Sequence, residues 1–156
     1  SFEMGTEVAT SNLRLQAFMQ SLNSLVCSSQ EIQKNNKEVF NEMFINLAKL
    51  DHIVFKLNGY DAVFKDNHDF KFAEHTQCRF GKWYGADGKD IFSKTTSYAK
   101  IDSVHKTVHD RVRTIPLYIE EGAILNAQKI IKAFHDAEEA SLELFAILDT
   151  MAQEIK

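Results

Sequence analysis

Apolar residues recur at heptad spacing along the first quarter of the chain. Val8, Leu15 and Leu22 stand seven apart, and Phe18, Leu25, Ile32 and Val39 form a second row three residues on. Such an a/d pattern is the seam of a coiled coil. Ser29 and Asn36 fall on the first row, where two readings stay open. They are polar seam residues that fix register or dimeric state, or they mark a break between two helices joined near residues 33–37. From Phe40 the stripe continues as Phe44, Leu47, Ala48 and Phe55. His52 lies four residues after Ala48, and residues four apart stack on one helical face, so its side chain points inward. The helix is expected to end near Gly59 or somewhat later, before Asp66–Asp69.

Residues 66–95 break this period. They hold the run Cys78-Arg-Phe-Gly-Lys-Trp-Tyr-Gly85 and then Ala86-Asp-Gly88, a turn signal. A short helix or an irregular segment fits them. A second strong helix is predicted over about 96–115, with Ile101, Val104, Val108, Val112 and Ile115 on one face, and Pro116 ends or kinks it. The last helix is expected over about 120–155, its stripe being Ala127, Ile130, Ile131, Phe134, Ala137, Leu144, Phe145, Leu148 and Met151. Three or four amphipathic helices with short connections give an all-α fold, an antiparallel bundle over residues 40–156 with a helical, coiled-coil extension over residues 1–39.

Composition narrows the partners. The 156 residues carry a formal net charge of −4, and Lys and Arg are interleaved with acids. Nucleic acid and anionic membrane surfaces need a concentrated basic face, which the chain does not offer. No apolar run reaches the length of about 20 residues that a membrane helix requires, so no membrane insertion is expected. There is no signal-peptide pattern at the start, and Ser1 in place of an initiator methionine suggests a piece of a longer chain. Two cysteines, Cys27 and Cys78, are too few for a disulfide framework. Both are read as reduced thiols in the cytoplasm.

The candidate chemistry is metal binding. Zinc draws on thiolate and imidazole, usually four ligands in a tetrahedron. His105 and His109 are four apart on a helix and flank its apolar stripe, so they face one point. His52 comes from another helix and Cys78 from the Gly/aromatic segment. Each has a plainer reading: an inward histidine is often a hydrogen-bonded core residue, the His105/His109 spacing arises by chance on many helices, and Cys78 could be an apolar filler. His75, three residues before Cys78, is the rival ligand. His68 and His135 have polar neighbours and read as solvated. Cys27 lies beside the seam and reads as a packed thiol, near its partner's Cys27 in a dimer. Gly81 allows a close backbone approach, and Trp83 packs beside the site. Asp102, one turn before His105, either orients an imidazole as an acceptor or is a plain exposed acid.

The run Cys78-Arg-Phe-Gly81-Lys-Trp83 resembles the Cys-x-Phe/Leu-Gly-x-Trp signature of the bacterial chemoreceptor zinc-binding (CZB) family. Leu50-Asp51-His52 with Lys56 resembles that family's first histidine segment, and His105 and His109 match its paired histidines in order and distance. The resemblance covers about residues 40–150. It implies a four-helix fold, often dimeric, with one Zn²⁺ on His52, Cys78, His105 and His109. It also implies attachment to a cytoplasmic chemoreceptor or diguanylate cyclase, and a regulatory role in signal transduction and chemotaxis, reporting zinc or oxidants such as hypochlorous acid through Cys78. No turnover is expected. A zinc hydrolase would keep an open position for water and a His-Glu-x-x-His base, whereas Lys106 follows His105. A di-iron bundle would use Glu-x-x-His pairs, and the chain has none. A metal-free dimerisation bundle explains the heptads but leaves the four aligned donors as coincidence.

Overall fold

The computed structural model describes residues 2–155, with the side chains of residues 3–155. The described residues form six helices and no strand: α1 Phe2–Phe64, α2 Arg79–Tyr84, α3 Asp87–Phe92, α4 Tyr98–Arg113, α5 Ile115–Glu120 and α6 Ala127–Gln153. The fold is all-α, as the periodicity predicts. Two compact units divide the chain, Ser1–Asn41 and Glu42–Lys156.

The first unit is a length of α1 alone. Residues 33–37 are helical, so Ser29 and Asn36 sit on an unbroken helix and the two-helix reading falls away. The seam rows are open to solvent: Leu15, Phe18, Leu25 and Ile32 are all more than half exposed. Cys27 is exposed rather than packed.

The second unit is a bundle in which neighbouring segments alternate in direction. The C-terminal part of α1 meets a returning stretch of irregular chain plus α2 and α3. Phe72 packs on Phe55 at 5.5 Å, Arg79 pairs with Asp51, and Trp83 packs on Phe44 at 4.6 Å between ring centroids. Numbers rise on one side as they fall on the other, so this broken stretch fills the place of the bundle's second helix. The helix α4 then runs back, and α6 lies antiparallel to both α1 and α4. Lys56 pairs with Glu138 and Lys49 with Asp149, while Arg111 reaches Asp136 at 3.5 Å and the Ser97 amide donates to Glu154 at 3.2 Å.

The helix α1 ends at Phe64, before Asp66 as expected, and does not stop at Gly59. Gly59 faces Phe134 and Val112 so closely that a Cβ there would lie 3.0 Å from each, and its missing side chain lets the three long helices approach. Nor does Pro116 merely stop α4. It occupies the first turn of α5, where its absent N–H costs nothing. The last helix begins at Ala127 rather than 120, because Gly122 takes a φ of 113° and turns the chain. Along this helix the buried stripe differs from the expected one: Ile131 is 61% exposed, and Ala133, Ala140 and Ser141 face inward.

Two apolar clusters result. One gathers Ile45, Ala48, Phe80, Phe92, Ile101, Val108, Leu144 and Leu148, and the other gathers Ala62, Ile115, Ile119, Ile130 and Phe134. Lys56 is buried near the waist between them. Its ammonium lies 2.6 Å from the Glu138 carboxylate, which also accepts the Tyr60 hydroxyl at 3.1 Å. A buried amine keeps its charge only with such a partner, and this one ties α1 to α6 one turn beyond His52.

Candidate metal centre

The same waist holds His52, Cys78, His105 and His109. One donor atom from each can be chosen so that all four lie within 4.8 Å of one another. The three histidines are 1–2% exposed, and Cys78 is half-buried. His52 is brought in by the inward stripe of α1, and His105 and His109 by successive turns of α4. Cys78 arrives at the N-cap of α2, where its sulfur accepts the Gly81 amide at 3.2 Å and its thiol meets the His75 carbonyl at 3.3 Å.

The ring nitrogens are sorted by backbone carbonyls. His52 Nδ1 lies 2.6 Å from the Ala48 carbonyl, and His109 Nδ1 lies 2.8 Å from the Ala73 carbonyl. A carbonyl only accepts, so both Nδ1 atoms carry the proton and both Nε2 atoms are bare lone pairs. Those two Nε2 atoms face each other 3.4 Å apart, and His105 Nε2 lies 3.3 Å from Cys78 Sγ. Two buried acceptors pointed at one another repel unless a cation sits between them. Four ligands at ordinary zinc distances stand about 3.3 Å apart between nitrogens and about 3.5 Å between nitrogen and sulfur. The two closest spacings, 3.4 and 3.3 Å, come near these values, and with all four donors within 4.8 Å the residues present suit one zinc ion.

Electrostatics favour neutral donors. Burial pushes the His105 imidazole down to about 2, helped by the charge that His52, His109 and His75 would carry beside it. Burial likewise brings His109 down to about 4, against the opposing pull of the Ala73 carbonyl, and it lowers His52. These rings bind a metal without first losing a proton at neutral pH. The Cys78 thiol is pushed up by burial, while the Gly81 and Phe80 amides draw it back. A cation would outweigh that burial and hold the thiolate.

Aromatic rings wall the centre. Phe80 stands edge-on to His105 at 5.0 Å and to His52 at 5.9 Å, and Phe55 lies on His109 at 4.2 Å. Trp83 is one ring further out, packed on Phe80, Phe92 and Phe44. Asp102 faces His75, Oδ1 to Nε2 at 3.4 Å, and His75 is not among the four clustered donors. His68 and His135 are exposed beside acids. His135 with Asp136 and Glu139 makes a second, solvent-facing group, whose Asp136 already serves Lys132 and Arg111.

Sequence reasoning missed three supports. The Ala48 and Ala73 carbonyls orient two rings. The third is a two-pronged ion pair, Arg79 Nε and Nη2 to Asp51 at 2.8 and 2.6 Å, which joins the neighbour of Cys78 to the neighbour of His52. The adjacency of Asp51 to His52 and of Arg79 to Cys78 was the only signal available in the sequence.

Gly81 has a definite reason. A Cβ there would lie 1.8 Å from the His75 carbonyl oxygen, backbone that cannot swing aside. Gly81→Ala must open the turn that holds Cys78. A loss of about 1–3 kcal/mol, typical of forced overpacking, is expected in denaturant unfolding, with weaker zinc retention alongside it.

No curated protein and no solved structure matches this chain. The model of the chemoreceptor zinc-binding domain (CZB) family matches residues 52–115, from the first of the four donors to beyond the last.

Proposed function

We propose that His52, Cys78, His105 and His109 hold one Zn²⁺ and that the chain is the regulatory, redox-sensing part of a cytoplasmic signalling protein. The observation that carries this reading is the pair of buried Nε2 lone pairs 3.4 Å apart, inside a family-matched segment that also supplies a thiol. Bound zinc supplies the charge that keeps the thiol as thiolate, the form oxidants attack. The protein does the rest. Cys78 is half-buried rather than sealed, so a small oxidant such as hypochlorous acid reaches its sulfur. Oxidation to the sulfenic acid removes the anionic donor. The hold on the start of α2 then rests on the Asp51–Arg79 pair and the Gly81 turn, and the broken stretch between α1 and α4 is free to repack.

The output is carried by a homodimer. Along α1 the exposed apolar rows persist beyond Val39: Met43, Leu50, Leu57 and Phe64 stand seven apart and are each more than half exposed. A second copy laid along this stripe covers it and places the Cys78-bearing segments of both copies on one long helix pair. The attached module is a chemoreceptor signalling domain or a cyclase. A metal-independent dimerisation module accounts for the stripe alone and leaves four inward donors without a purpose.

The reading is tested with Cys27→Ser protein, in which Cys78 is the only thiol, and reactions at methionine are common to both proteins compared. An equivalent of hypochlorous acid should oxidise that thiol and change the amide-exchange protection of residues 74–92. The protein that also carries Cys78→Ser should show neither change. An equal response from both would contradict the sensing role.

A further inference from the structure

We infer that His75 is a reserve ligand, which takes the fourth position at the centre when Cys78 gives it up. The inference rests on the zinc reading above and extends it to the state that follows Cys78 modification.

His75 lies in the turn that feeds α2, where the amides of Gln77 and Cys78 both donate to the Glu74 carbonyl. Its backbone is pinned to the rim of the centre in two ways. The carbonyl meets the Cys78 thiol at 3.3 Å, and the α2 backbone at Gly81 packs directly against the same oxygen. The second contact does not involve sulfur, so His75 stays against the start of α2, which the Asp51–Arg79 pair still holds, while the rest of the stretch repacks. The side chain is only 15% exposed, and its ring stands edge-on to that of His105 with centroids 5.5 Å apart. A fifth imidazole-or-thiol donor is therefore packed against a ligand candidate while standing outside the set of four.

Asp102 makes that imidazole suitable. Its carboxylate lies 3.4 Å from His75 Nε2, which favours the proton on that nitrogen and leaves the lone pair on Nδ1. Carboxylate, imidazole and metal in this order are the usual arrangement of a ligating histidine with its outer partner. Asp102 belongs to α4, one turn before His105, so the helix that presents two of the donors also holds the reserve ring. Exchange of thiolate for imidazole adds one positive charge to the centre, and the Asp102 carboxylate stands where it offsets that charge. The ion would thus survive the modification that frees α2, and the domain would return to its resting state without having to recapture zinc.

The test uses zinc-loaded Cys27→Ser protein, with and without His75→Ala. The probe is methyl methanethiosulfonate. The Cys78 sulfur forms an S–S bond to the methylthio group and methanesulfinate leaves, so the thiolate is lost without other oxidation. Both proteins should hold zinc alike beforehand. After modification, the protein with His75 should keep its zinc. His75→Ala should release it to a chromogenic chelator at least roughly tenfold faster, the lower end of what even an outer partner contributes. Equal release rates would overturn the inference. So would loss of zinc from His75→Ala before modification, which would make His75 part of the resting centre. A parent protein that binds no zinc at all would overturn the zinc reading as well. A second pair, Cys78→Ala with and without His75→Ala, repeats the comparison at equilibrium: the double variant should bind zinc more weakly than the single one, and equal affinities would contradict the proposal.

Discussion

Zinc should raise the unfolding temperature of this domain sharply, and a chelator should lower it again. A ligand that binds only the folded state stabilises it by an amount set by its concentration over its dissociation constant, about 4 kcal/mol at a thousandfold excess. The four donors come from three separate stretches, α1, the start of α2 and α4, and no unfolded chain holds them together. For a chain of this length each kcal/mol moves the midpoint by about 2–4 °C, so a shift of about 8–16 °C is expected in a calorimetric scan. His105→Ala should abolish the shift. It removes one donor and the ring between Phe80 and Cys78, leaving a buried gap at the centre. A shift of equal size in His105→Ala would mean that zinc stabilises some other site.

The metal-free domain should also be acid-sensitive well above the range where carboxylates titrate. His105 and His109 sit near about 2 and about 4 when folded, and return to about 6.5 in the unfolded chain. Folded values below unfolded ones mean that the unfolded chain takes up protons first as pH falls. Stability is therefore complete above pH 6.5 and declines below it. The decline continues until about pH 4 for His109 and about pH 2 for His105. Between pH 7 and pH 5 each ring removes about 2 kcal/mol, about 4 kcal/mol together. Denaturant unfolding at the two pH values checks this. His52, which burial also lowers, adds in the same direction, and His105→Gln, which stays neutral, should remove about 2 kcal/mol of the loss between pH 7 and pH 5. A profile unchanged by that substitution would place the sensitivity elsewhere.

Much of this was legible in the sequence because it depends on local period. A residue four after a buried alanine must face inward, and His52 does; two histidines four apart on an apolar face must share a direction, and His105 and His109 do. The all-α fold follows from the same arithmetic. What could not be read depends on chain reversal. Residues 66–95 announced only a break, yet they form the bundle's returning wall. The Ala73 carbonyl that fixes His109, and the pairing of Asp102 with His75, are contacts across 36 and 27 residues that no period reports. The late start of α6 came from the Gly122 turn, and Ile131, adjacent to the buried Ile130, lies at the surface because the core takes only one side of the helix. Beyond Val39, Met43, Leu50, Leu57 and Phe64 keep the first row's register on the exposed side of α1, opposite the inward stripe of Ala48, His52 and Phe55.

The most direct test is metal content per chain, by elemental analysis of protein purified without chelator and free of any tag. About one zinc per chain is expected, retained on dialysis and lost from His105→Ala. Protein that carries no zinc, and takes up none when it is offered, would contradict the zinc centre.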